Sequence, residues 1–419
     1  MKLCVVGAGS TYTPELVDGL VRMQALVPVD ELALVDTDAR RLEILTGMTR
    51  RMLARGAHPA HVTPTASLEE GAEGADAVLI QLRVGGQAAR IVDESLPLRC
   101  GCIGQETTGF GGLAKALRTV PVVLDIAERV RRLAPDTWIV DFTNPVGIVT
   151  KALLDEGHKA VGLCSAAMVF QRHFAKVLEI APESIELDHV GLNHLTWEIG
   201  VRVDGRDVLR ELTTDLVDRV APASGLPASL VRRLGVVPSY YLHYFWDHDD
   251  LVEHARTHES RAEEVHAIEA ELLQLYEDET VDEKPELLSR RGGAFYSEAA
   301  VELLASLLGT STQDRHVVNL RNRGTLPFLA DDAVVEVPAH VTTGSVEPIE
   351  MPPLDPLYQG LVAHISAYED LALQAALHGG RERVFRALLA HPLVGQERQA
   401  ETLTDLLLEA NARYLPWAS

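Results

Sequence analysis

Polar and nucleophilic side chains follow several apolar runs of this sequence, at the points where a parallel sheet places its ligands. Arg83, Asn144 and Cys164 each come directly after such a run. Because the carboxyl ends of parallel strands meet at one edge of a sheet, we expect these three side chains to border one crevice. The apolar runs that precede them span residues 77–82, 137–142 and 159–163.

Cys164 and His194 are side chains that could bind a divalent transition metal, through a thiolate and an imidazole. Two protein ligands are too few for a structural metal site, whereas a catalytic site would leave positions open for substrate oxygens. Their spacing alone favours an ordinary buried cysteine and a hydrogen-bonded histidine over a metal site. Both interpretations stay open at this point.

A glycine-containing loop near the amino terminus suggests dinucleotide binding. An apolar run over residues 2–6 leads into Gly7-Ala8-Gly9-Ser10 and then into a helical pattern. Backbone amides of such a loop can approach a pyrophosphate, although Tyr12 replaces the third glycine of the usual motif. Asp36 ends the next apolar run, where a carboxylate would bind the ribose hydroxyls and repel the 2′-phosphate of NADP. The alternative is a glycine turn and a surface Asp in an ordinary α/β protein. The predicted NAD-binding residues are Gly7, Gly9, Ser10, Thr11 and Asp36.

The order of the elements predicts the fold class. Short apolar runs alternate with helical patterns through residues 1–165, which is typical of a parallel sheet covered by helices on both faces. We predict an α/β fold with a Rossmann-type, doubly wound parallel sheet that binds NAD over residues 1–165. Residues 166–419 read as a mixed α/β, mainly helical domain for substrate, metal and oligomer contacts. This architecture is like that of lactate and malate dehydrogenases.

Composition excludes several function classes. The chain has 419 residues with 61 acidic and 38 basic side chains, a formal net charge of -23. Such an excess of acid argues against general affinity for nucleic acid or anionic membranes. No apolar run approaches the ~20 residues that span a bilayer. Four cysteines in a chain of this length do not form a disulfide framework, so we predict a cytoplasmic protein.

Three further segments carry candidate residues. Glu106 lies in a glycine-rich stretch, residues 104–112, which lacks the Gly-Lys-Ser/Thr of a P-loop. Arg291, followed by Gly292-Gly293, could hold an anionic group or could end a solvated helix. Tyr241 lies in an aromatic cluster over residues 240–246, a pattern more often found in cores and interfaces than in catalysis.

Taken in order, these motifs resemble the NAD- and metal-dependent family-4 glycoside hydrolases, and among them most closely the 6-phospho-β-glucosidases. The resemblance extends over nearly the whole chain. The matching segments are Gly9-Ser10-Thr11-Tyr12-Thr13-Pro14-Glu15, Gly104-Gln105-Glu106-Thr107 with Gly111-Gly112, Thr143-Asn144-Pro145, Gly162-Leu163-Cys164, Gly191-Leu192-Asn193-His194, Tyr241-Leu242, Arg291-Gly292-Gly293, Val335-Glu336-Val337-Pro338 and His391-Pro392-Leu393-Val394.

The resemblance implies a redox route to glycoside hydrolysis, distinct from catalysis by paired carboxylates. In this route NAD⁺ oxidises C3 of the sugar, a base removes the C2 proton, and the substituent at C1 leaves by elimination. Water then adds, and NADH reduces C3 again. The resemblance further implies Mn²⁺ or another divalent metal on Cys164 and His194, Tyr241 as the base, and Glu106 as support for the metal or the base.

The resemblance also implies the partners. The substrate is a small-molecule glycoside, with or without a 6-phosphate, and the assembly is a homodimer or homotetramer with contacts through the helical part. The side chains that correspond to substrate contacts are Arg83, Asn144, Asn193 and Arg291.

Two positions depart from the family pattern. Ser165 stands where phospho-β-glucosidases usually carry Asn, and His243 replaces the Arg of the common Tyr-Leu-Arg-Tyr segment. Loss of that Arg removes a candidate phosphate partner and substitutes a titratable group for a permanent charge. A non-phosphorylated glycoside or an unusual aglycone therefore stays open as the substrate.

Two other functions compete with this one. An NAD-dependent 2-hydroxy-acid dehydrogenase of the lactate/malate type could use His194 as its proton shuttle, but Cys164 and Tyr241 would then have no role. A non-catalytic NAD-binding regulator on the same scaffold would be expected to have lost Cys164, His194 or Tyr241, and all three are present.

Overall fold

A computed structural model describes residues 1–292 and 295–418, so Gly293 of the Arg291 motif lies outside the described residues. The strands are β1 (Lys2–Val6), β2 (Glu31–Val35), β3 (His61–Thr65), β4 (Ala77–Ile80), β5 (Trp138–Asp141), β6 (Ala160–Gly162), β7 (Ile185–Leu192), β8 (Leu195–Val203), β9 (Arg206–Asp207), β10 (Val237–Pro238), β11 (Arg315–Arg321), β12 (Val334–Val341) and β13 (Val346–Pro348).

The α-helices are α1 (Thr13–Arg22), α2 (Ala39–Arg55), α3 (Leu68–Ala72), α4 (Gly86–Ser95), α5 (Gly109–Leu133), α6 (Val146–Asp155), α7 (Ala166–Leu178), α8 (Leu209–Thr214), α9 (Val217–Val220), α10 (Ala228–Leu234), α11 (His243–Trp246), α12 (His248–Thr257), α13 (Arg261–Glu277), α14 (Leu287–Arg291), α15 (Tyr296–Leu307), α16 (Pro356–His378), α17 (Arg381–Ala390) and α18 (Glu397–Asn411).

The first six strands form a parallel sheet in the order β3-β2-β1-β4-β5-β6. This is the doubly wound order of dinucleotide-binding folds, and it confirms the predicted Rossmann-type sheet. The central strands β1 and β4 are almost entirely buried. Helices cover both faces of the sheet here, so the side chains on each face contact apolar neighbours.

The sheet continues beyond β6 with antiparallel strands in the order β11, β12, β7, β8 and β10. The junctions are narrow. β6 meets β11 through the pair Gly162–Asn319, and β12 meets β7 through the pair Gly191–Glu336. Most of the chain after residue 206 is helical, as predicted, and α16 packs against α5. Because the sheet runs across residue 165 without a gap, the division into domains at that residue stays a prediction.

Strands β11 and β12 had no counterpart among the predicted elements. Charged residues begin and end β11, while β12 contains Glu336 and Pro338, and proline usually argues against an internal strand. Within residues 1–292 and 295–418, no helix is long and apolar enough to cross a membrane.

A matched pair of glycine substitutions tests the packing of the β7–β8 hairpin. At Gly191, φ is +149° and a Cβ would lie 2.1 Å from the carbonyl oxygen of Leu195, so Gly191→Ala should lower the free energy of unfolding by about 3 kcal/mol. Gly360 lies at an exposed position of α16 with open space around it, so Gly360→Ala should raise that free energy by about 0.5–1 kcal/mol. Urea denaturation followed by circular dichroism measures both; wild-type stability of Gly191→Ala would contradict the hairpin geometry.

Candidate active site

A cleft of 1260 Å³ lies at the carboxyl ends of the parallel strands and brings together most of the candidate residues. Thr11 and Asn193 are not among the side chains that line it. Thr11 is buried behind the loop, where its carbonyl accepts a hydrogen bond from the Tyr276 hydroxyl at 2.9 Å. The candidate residues that line the cleft are Gly7, Gly9, Ser10, Asp36, Arg83, Glu106, Asn144, Cys164, His194, Tyr241 and Arg291.

One end of the cleft has the geometry of a dinucleotide loop. Gly7 has a φ of +88°, which lets the chain turn sharply between β1 and α1. The Gly9 amide donates a hydrogen bond to Asp36 at 2.7 Å, and a Cβ at Gly9 would lie only 2.8 Å from that carboxylate. The Arg41 guanidinium donates to the Gly9 carbonyl at 2.7 Å. These contacts fix Asp36 beside the loop, where a ribose would reach it.

Tyr12, at the third glycine position, supports Arg291. The Arg291 guanidinium lies over the Tyr12 ring, 5.2 Å from its centroid. It also donates to Glu269 at 2.9 Å, and Gln87 donates to the same carboxylate at 3.0 Å. Burial lowers the pKa of Arg291. Arg291 is therefore held by neighbours at the junction between the dinucleotide loop and the rest of the cleft.

A cluster of cations surrounds Glu106 on the cleft wall. Arg83 forms an ion pair with it, the Lys115 ammonium donates to it at 2.8 Å, and Arg90 lies at 3.5 Å. Burial alone would raise the pKa of Glu106, but these cations hold it well below its usual range. Burial, aided by Arg83, lowers the pKa of Lys115 to about 7. The cluster keeps Glu106 ionised, and Arg90 also pairs with Glu94 at 2.7 Å.

Cys164 follows β6 and precedes α7, so its side chain lies at the edge of the parallel sheet. Burial raises the pKa of the Cys164 thiol, and the nearby carboxylate of Glu336 raises it further. Hydrogen bonds from the backbone of Ser165 and Ala166 and from the Asn193 side chain act in the opposite direction. The thiol is therefore neutral in the protein alone.

His194 lies in the β7–β8 turn, with a φ of +64°. Its Nδ1 is 2.9 Å from the Thr107 hydroxyl, which leaves Nε2 available to a ligand. Burial lowers the pKa of His194 to about 4, so the imidazole is neutral at physiological pH. Neutral imidazole is the form that binds metals.

Tyr241 stacks against His194, with ring centroids 3.7 Å apart and planes 6° from parallel. Burial raises the pKa of Tyr241 well above its ordinary value, and the neighbouring Cys164 contributes in the same direction. The phenol is therefore protonated until a positive charge binds nearby. Tyr241 also lies close enough to Glu106 and Arg90 to interact with them electrostatically.

Asn144 lies on the same sheet edge, between β5 and α6. Its Oδ1 is buried and has no hydrogen-bond partner among the described residues. Beneath it, at the end of β5, burial raises the pKa of Asp141 to about 8. The Asp141 Oδ1 accepts from the Thr143 amide at 3.1 Å. An unsatisfied buried carbonyl on a cleft wall is suited to a ligand hydroxyl.

Asn193 lies behind His194 and belongs to a buried network. Its side-chain amide donates to Glu336 at 2.7 Å. Glu336 also lies 3.0 Å from His189, whose other ring nitrogen is 2.6 Å from Glu198. Burial alone would lower the pKa of His189, but the carboxylates of Glu198 and Glu336 raise it to about 10, so the ring is an imidazolium.

The two departures from the family pattern lie in different places. Ser165 lines the cleft next to Cys164. His243 is not among the lining residues; its ring packs between Tyr240 and Tyr244 at centroid distances of 4.1 and 4.0 Å. Its Nδ1 is hydrogen-bonded to the Tyr240 carbonyl. His243 therefore supports the aromatic wall from behind.

Several residues of the site were given no role of their own from the sequence, although Thr107 and Glu336 lie in matching segments. Lys115 is a single charge inside the helical pattern of α5, and Thr107 is an ordinary loop residue. A charged residue within an apolar strand was the available signal for Glu336. Over residues 1–292 and 295–418, no group of three or more His, Cys, Asp and Glu side chains is arranged to hold a metal ion. Cys164 and His194 thus offer two ligands, which suits an open site completed by substrate oxygens.

Comparison with known protein families gives a match over most of the chain. A model described as "Family 4 glycosyl hydrolase" matches residues 2–180. A second model, "Family 4 glycosyl hydrolase C-terminal domain", matches residues 189–394. A probable 6-phospho-β-glucosidase of Bacillus subtilis is 36% identical over 432 aligned residues, which cover 99% of this chain and 97% of that protein.

Solved structures of similar fold include 6-phospho-β-glucosidases as well. The 6-phospho-β-glucosidase of Thermotoga maritima, with NAD and glucose-6-phosphate, superposes with a TM-score of 0.93 at 35% identity and covers 99% of both chains. The same enzyme with manganese, NAD⁺ and glucose-6-phosphate also gives a TM-score of 0.93. Malate dehydrogenase of Plasmodium falciparum covers 90% of this chain with a TM-score of 0.55 at 14% identity, a likeness in fold alone.

The raised pKa of Asp141 predicts a pH-dependent effect of Asp141→Asn. The buried carboxyl is protonated in the folded state up to about pH 8 but ionises above its ordinary value of 3.8 when unfolded. The contribution of Asp141 to the free energy of unfolding is fully present below pH 3.8. It falls as the pH rises from 3.8 and is lost once the pH passes about 8. Asp141→Asn should therefore gain stability relative to wild type by ~1.4 kcal/mol per pH unit across that window. Urea denaturation at several pH values tests this, with exposed Asp136→Asn as the control; a pH-independent difference for Asp141→Asn would contradict it.

Proposed function

The chain belongs to family 4 of the glycosyl hydrolases, and we propose that it is a 6-phospho-β-glucosidase that depends on NAD and a divalent metal. One observation carries the proposal: a continuous cleft contains both the dinucleotide loop with Asp36 and the group Cys164, His194 and Tyr241. Family-4 relatives named 6-phospho-β-glucosidases match 99% of the chain at 35–36% identity, which supports this substrate class.

The dinucleotide end of the cleft fits NAD. The start of α1 suits a pyrophosphate, and Asp36, held by the Gly9 amide, suits the ribose hydroxyls while repelling a 2′-phosphate. When bound, NAD⁺ supplies a hydride acceptor for C3 of the sugar and returns the hydride at the end of the cycle. The Thermotoga maritima structure with NAD supports this assignment.

Cys164 and His194 fit a divalent metal such as Mn²⁺ because of their protonation states. His194 is already a neutral imidazole, while burial keeps both Cys164 and Tyr241 protonated. A cation held by Cys164 and His194 would lower the pKa of both the thiol and the phenol. When bound there, it would also supply a Lewis acid for the oxygen on C3.

Tyr241 is the proposed base that removes the C2 proton. Its stacking on His194 holds the phenol next to the proposed metal ligand, and its burial makes ionisation depend on that site being filled. Removal of the C2 proton beside a C3 ketone permits the C1 substituent to leave by elimination. Glu106 interacts electrostatically with both His194 and Tyr241 and is the proposed support for them.

The 6-phosphate is proposed to interact with the cationic wall. Arg83, Arg90 and Lys115 converge on Glu106 and line the cleft, so an anionic ester could share their hydrogen-bond donors. Arg291, held by Glu269 and Tyr12, is proposed to contact the substrate where the two ends of the cleft meet. Asn144 is proposed to accept from a sugar hydroxyl through its unpartnered Oδ1. A direct contact of Asn193 with a sugar hydroxyl remains part of the proposal, although its amide already donates to Glu336.

The assembly and location follow from the family. We propose a homodimer or homotetramer that contacts other copies through the helical part and acts on small molecules in the cytoplasm. A non-phosphorylated sugar is the second candidate, because Ser165 and His243 depart from the phospho-β-glucosidase pattern. The dehydrogenase alternative is supported by a likeness in fold alone.

Hydrolysis of paired p-nitrophenyl glycosides, with and without a 6-phosphate, tests the function. Each substrate is assayed with and without NAD⁺ and Mn²⁺ under reducing conditions. We expect release of p-nitrophenol from the 6-phospho-β-glucoside, dependent on both additions, without net NADH. Activity on the non-phosphorylated partner alone would favour the second candidate. Accumulation of NADH with small hydroxy acids, and no glycoside cleavage, would contradict the proposal.

Tyr241→Phe tests the base. The variant keeps the ring that stacks on His194, so NAD⁺ and Mn²⁺ should bind as in wild type, while exchange of the substrate C2 hydrogen with solvent deuterium should be lost. Removal of a general base typically costs ~10²–10⁴-fold in rate. The neighbouring half-exposed Tyr240→Phe is the control and should retain exchange. Wild-type exchange in Tyr241→Phe, followed by NMR, would remove this residue from the role.

A further inference from the structure

A row of buried polar side chains crosses the sheet on the antiparallel side of the cleft. Its members are cross-strand neighbours. Glu198 of β8 pairs in register with His189 of β7, and Glu336 of β12 pairs with Asn319 of β11. The row therefore spans four adjacent strands and reaches both narrow junctions of the sheet, since Glu336 and Asn319 are the residues that form them.

The row is a continuous chain of hydrogen bonds. His189 lies 2.6 Å from Glu198 through Nδ1 and 3.0 Å from Glu336 through Nε2. The second carboxylate oxygen of Glu336 accepts from the side-chain amides of Asn193 at 2.7 Å and Asn319 at 2.9 Å. Glu198, His189, Glu336 and Asn319 are each at most 1% exposed, so water does not compete for these bonds.

The chain of bonds ends at Asn193, the residue before His194 in the turn between β7 and β8. The Asn193 side-chain amide donates to Glu336 at 2.7 Å. Because Glu336 lies on β12, this bond ties the turn that carries His194 to the neighbouring strand. His189, held between two carboxylates, in turn fixes Glu336.

We propose that Glu198, His189 and Glu336 are positioning residues that hold Asn193, and with it the turn that carries His194, and so set the affinity of the divalent-metal site. This inference rests on the proposed function for the metal itself. It goes further in assigning a role to buried groups that contact neither metal nor sugar.

A role limited to joining the strands would not require buried charged residues. Replacing a buried ion pair with apolar residues of similar volume is often neutral or stabilising, so joining the strands does not by itself call for these charges. The row also has a direction: its hydrogen bonds lead from Glu198 to Asn193, the residue next to His194. Groups that orient the ligands of a metal typically change its affinity by ~10–100-fold when they are removed.

The matched control is Asp188→Asn. Asp188 is adjacent to His189 on β7, is 2% exposed and forms an ion pair with the partly exposed Arg202. Both carboxylate oxygens of Asp188 accept hydrogen bonds from Arg202, and within residues 1–292 and 295–418 Asp188 forms no hydrogen bond with Glu336 or Asn193. Breaking this pair tests the cost of disturbing the same strand without altering the Asn193 amide.

The experiment measures Mn²⁺ binding to NAD-loaded protein by loss of the free-ion EPR signal. Glu336→Gln has one oxygen to serve His189 and both amides, so its Kd for Mn²⁺ should rise about tenfold or more. Glu198→Gln, at the far end of the row, should give a smaller rise in the Kd for Mn²⁺. It replaces Glu336→Gln as the test variant if that protein does not fold. The Kd for NAD⁺ should stay within twofold in every variant. With Co²⁺ as the probe, the thiolate-to-metal absorption band should weaken in parallel.

The outcomes distinguish the positioning role from the proposed metal dependence on which it rests. Weaker Mn²⁺ binding in the Glu336 and Glu198 variants, but not in Asp188→Asn, supports the positioning role. Equal Mn²⁺ affinity in all folded variants overturns it and leaves the proposed function intact. Equal weakening in Asp188→Asn also overturns it, because the effect would then be one of stability. A wild-type protein that binds no Mn²⁺ overturns the proposed metal dependence itself.

Discussion

The placement of the chemistry depends on two narrow junctions within the sheet. One residue pair, Gly162 with Asn319, joins the parallel part to the antiparallel part, and another, Gly191 with Glu336, joins β7 to β12 within the antiparallel part. Both glycines are packed so closely that a Cβ would lie 2.1 Å from a neighbouring atom. Each lies shortly before a proposed metal ligand, Cys164 or His194. The register at these two pairs therefore fixes where both ligands leave the sheet, and a shift in either strand would separate them.

Burial affects the reactive groups of the cleft in a consistent direction. Cys164, Tyr241 and His194 are all driven toward their neutral forms by loss of solvent. Glu106 is the opposite case, because surrounding cations keep it ionised despite burial. The side chains proposed to receive a cation are thus neutral, whereas Glu106 beside them is ionised and is surrounded by Arg83, Arg90 and Lys115. These basic side chains are a local exception in a chain with a net charge of -23.

The sequence was informative where one strand or loop suffices to place a residue. The short apolar strands of the parallel sheet, and the rule that ligands follow their carboxyl ends, were enough to find Arg83, Asn144 and Cys164. Lys115 could not be found this way, because its proximity to Glu106 depends on how the first turns of α5 pack. Likewise, β12 was obscured by Glu336 and Pro338. The partners of Glu336 lie on β7 and β11, far away in the sequence. The buried carboxylate is stable only because the folded sheet brings these partners next to it.

The two departures from the family pattern act on different parts of the cleft. His243 lies behind the aromatic wall and makes its hydrogen bond to the Tyr240 carbonyl, so the lost Arg is not replaced by another charge on the wall itself. Arg83, Arg90 and Lys115 around Glu106 are present regardless of this loss. Ser165, by contrast, lines the cleft beside Cys164, where a side chain smaller than Asn leaves more room. The departures therefore change the shape of the cleft next to the proposed metal site and leave the basic side chains around Glu106 in place.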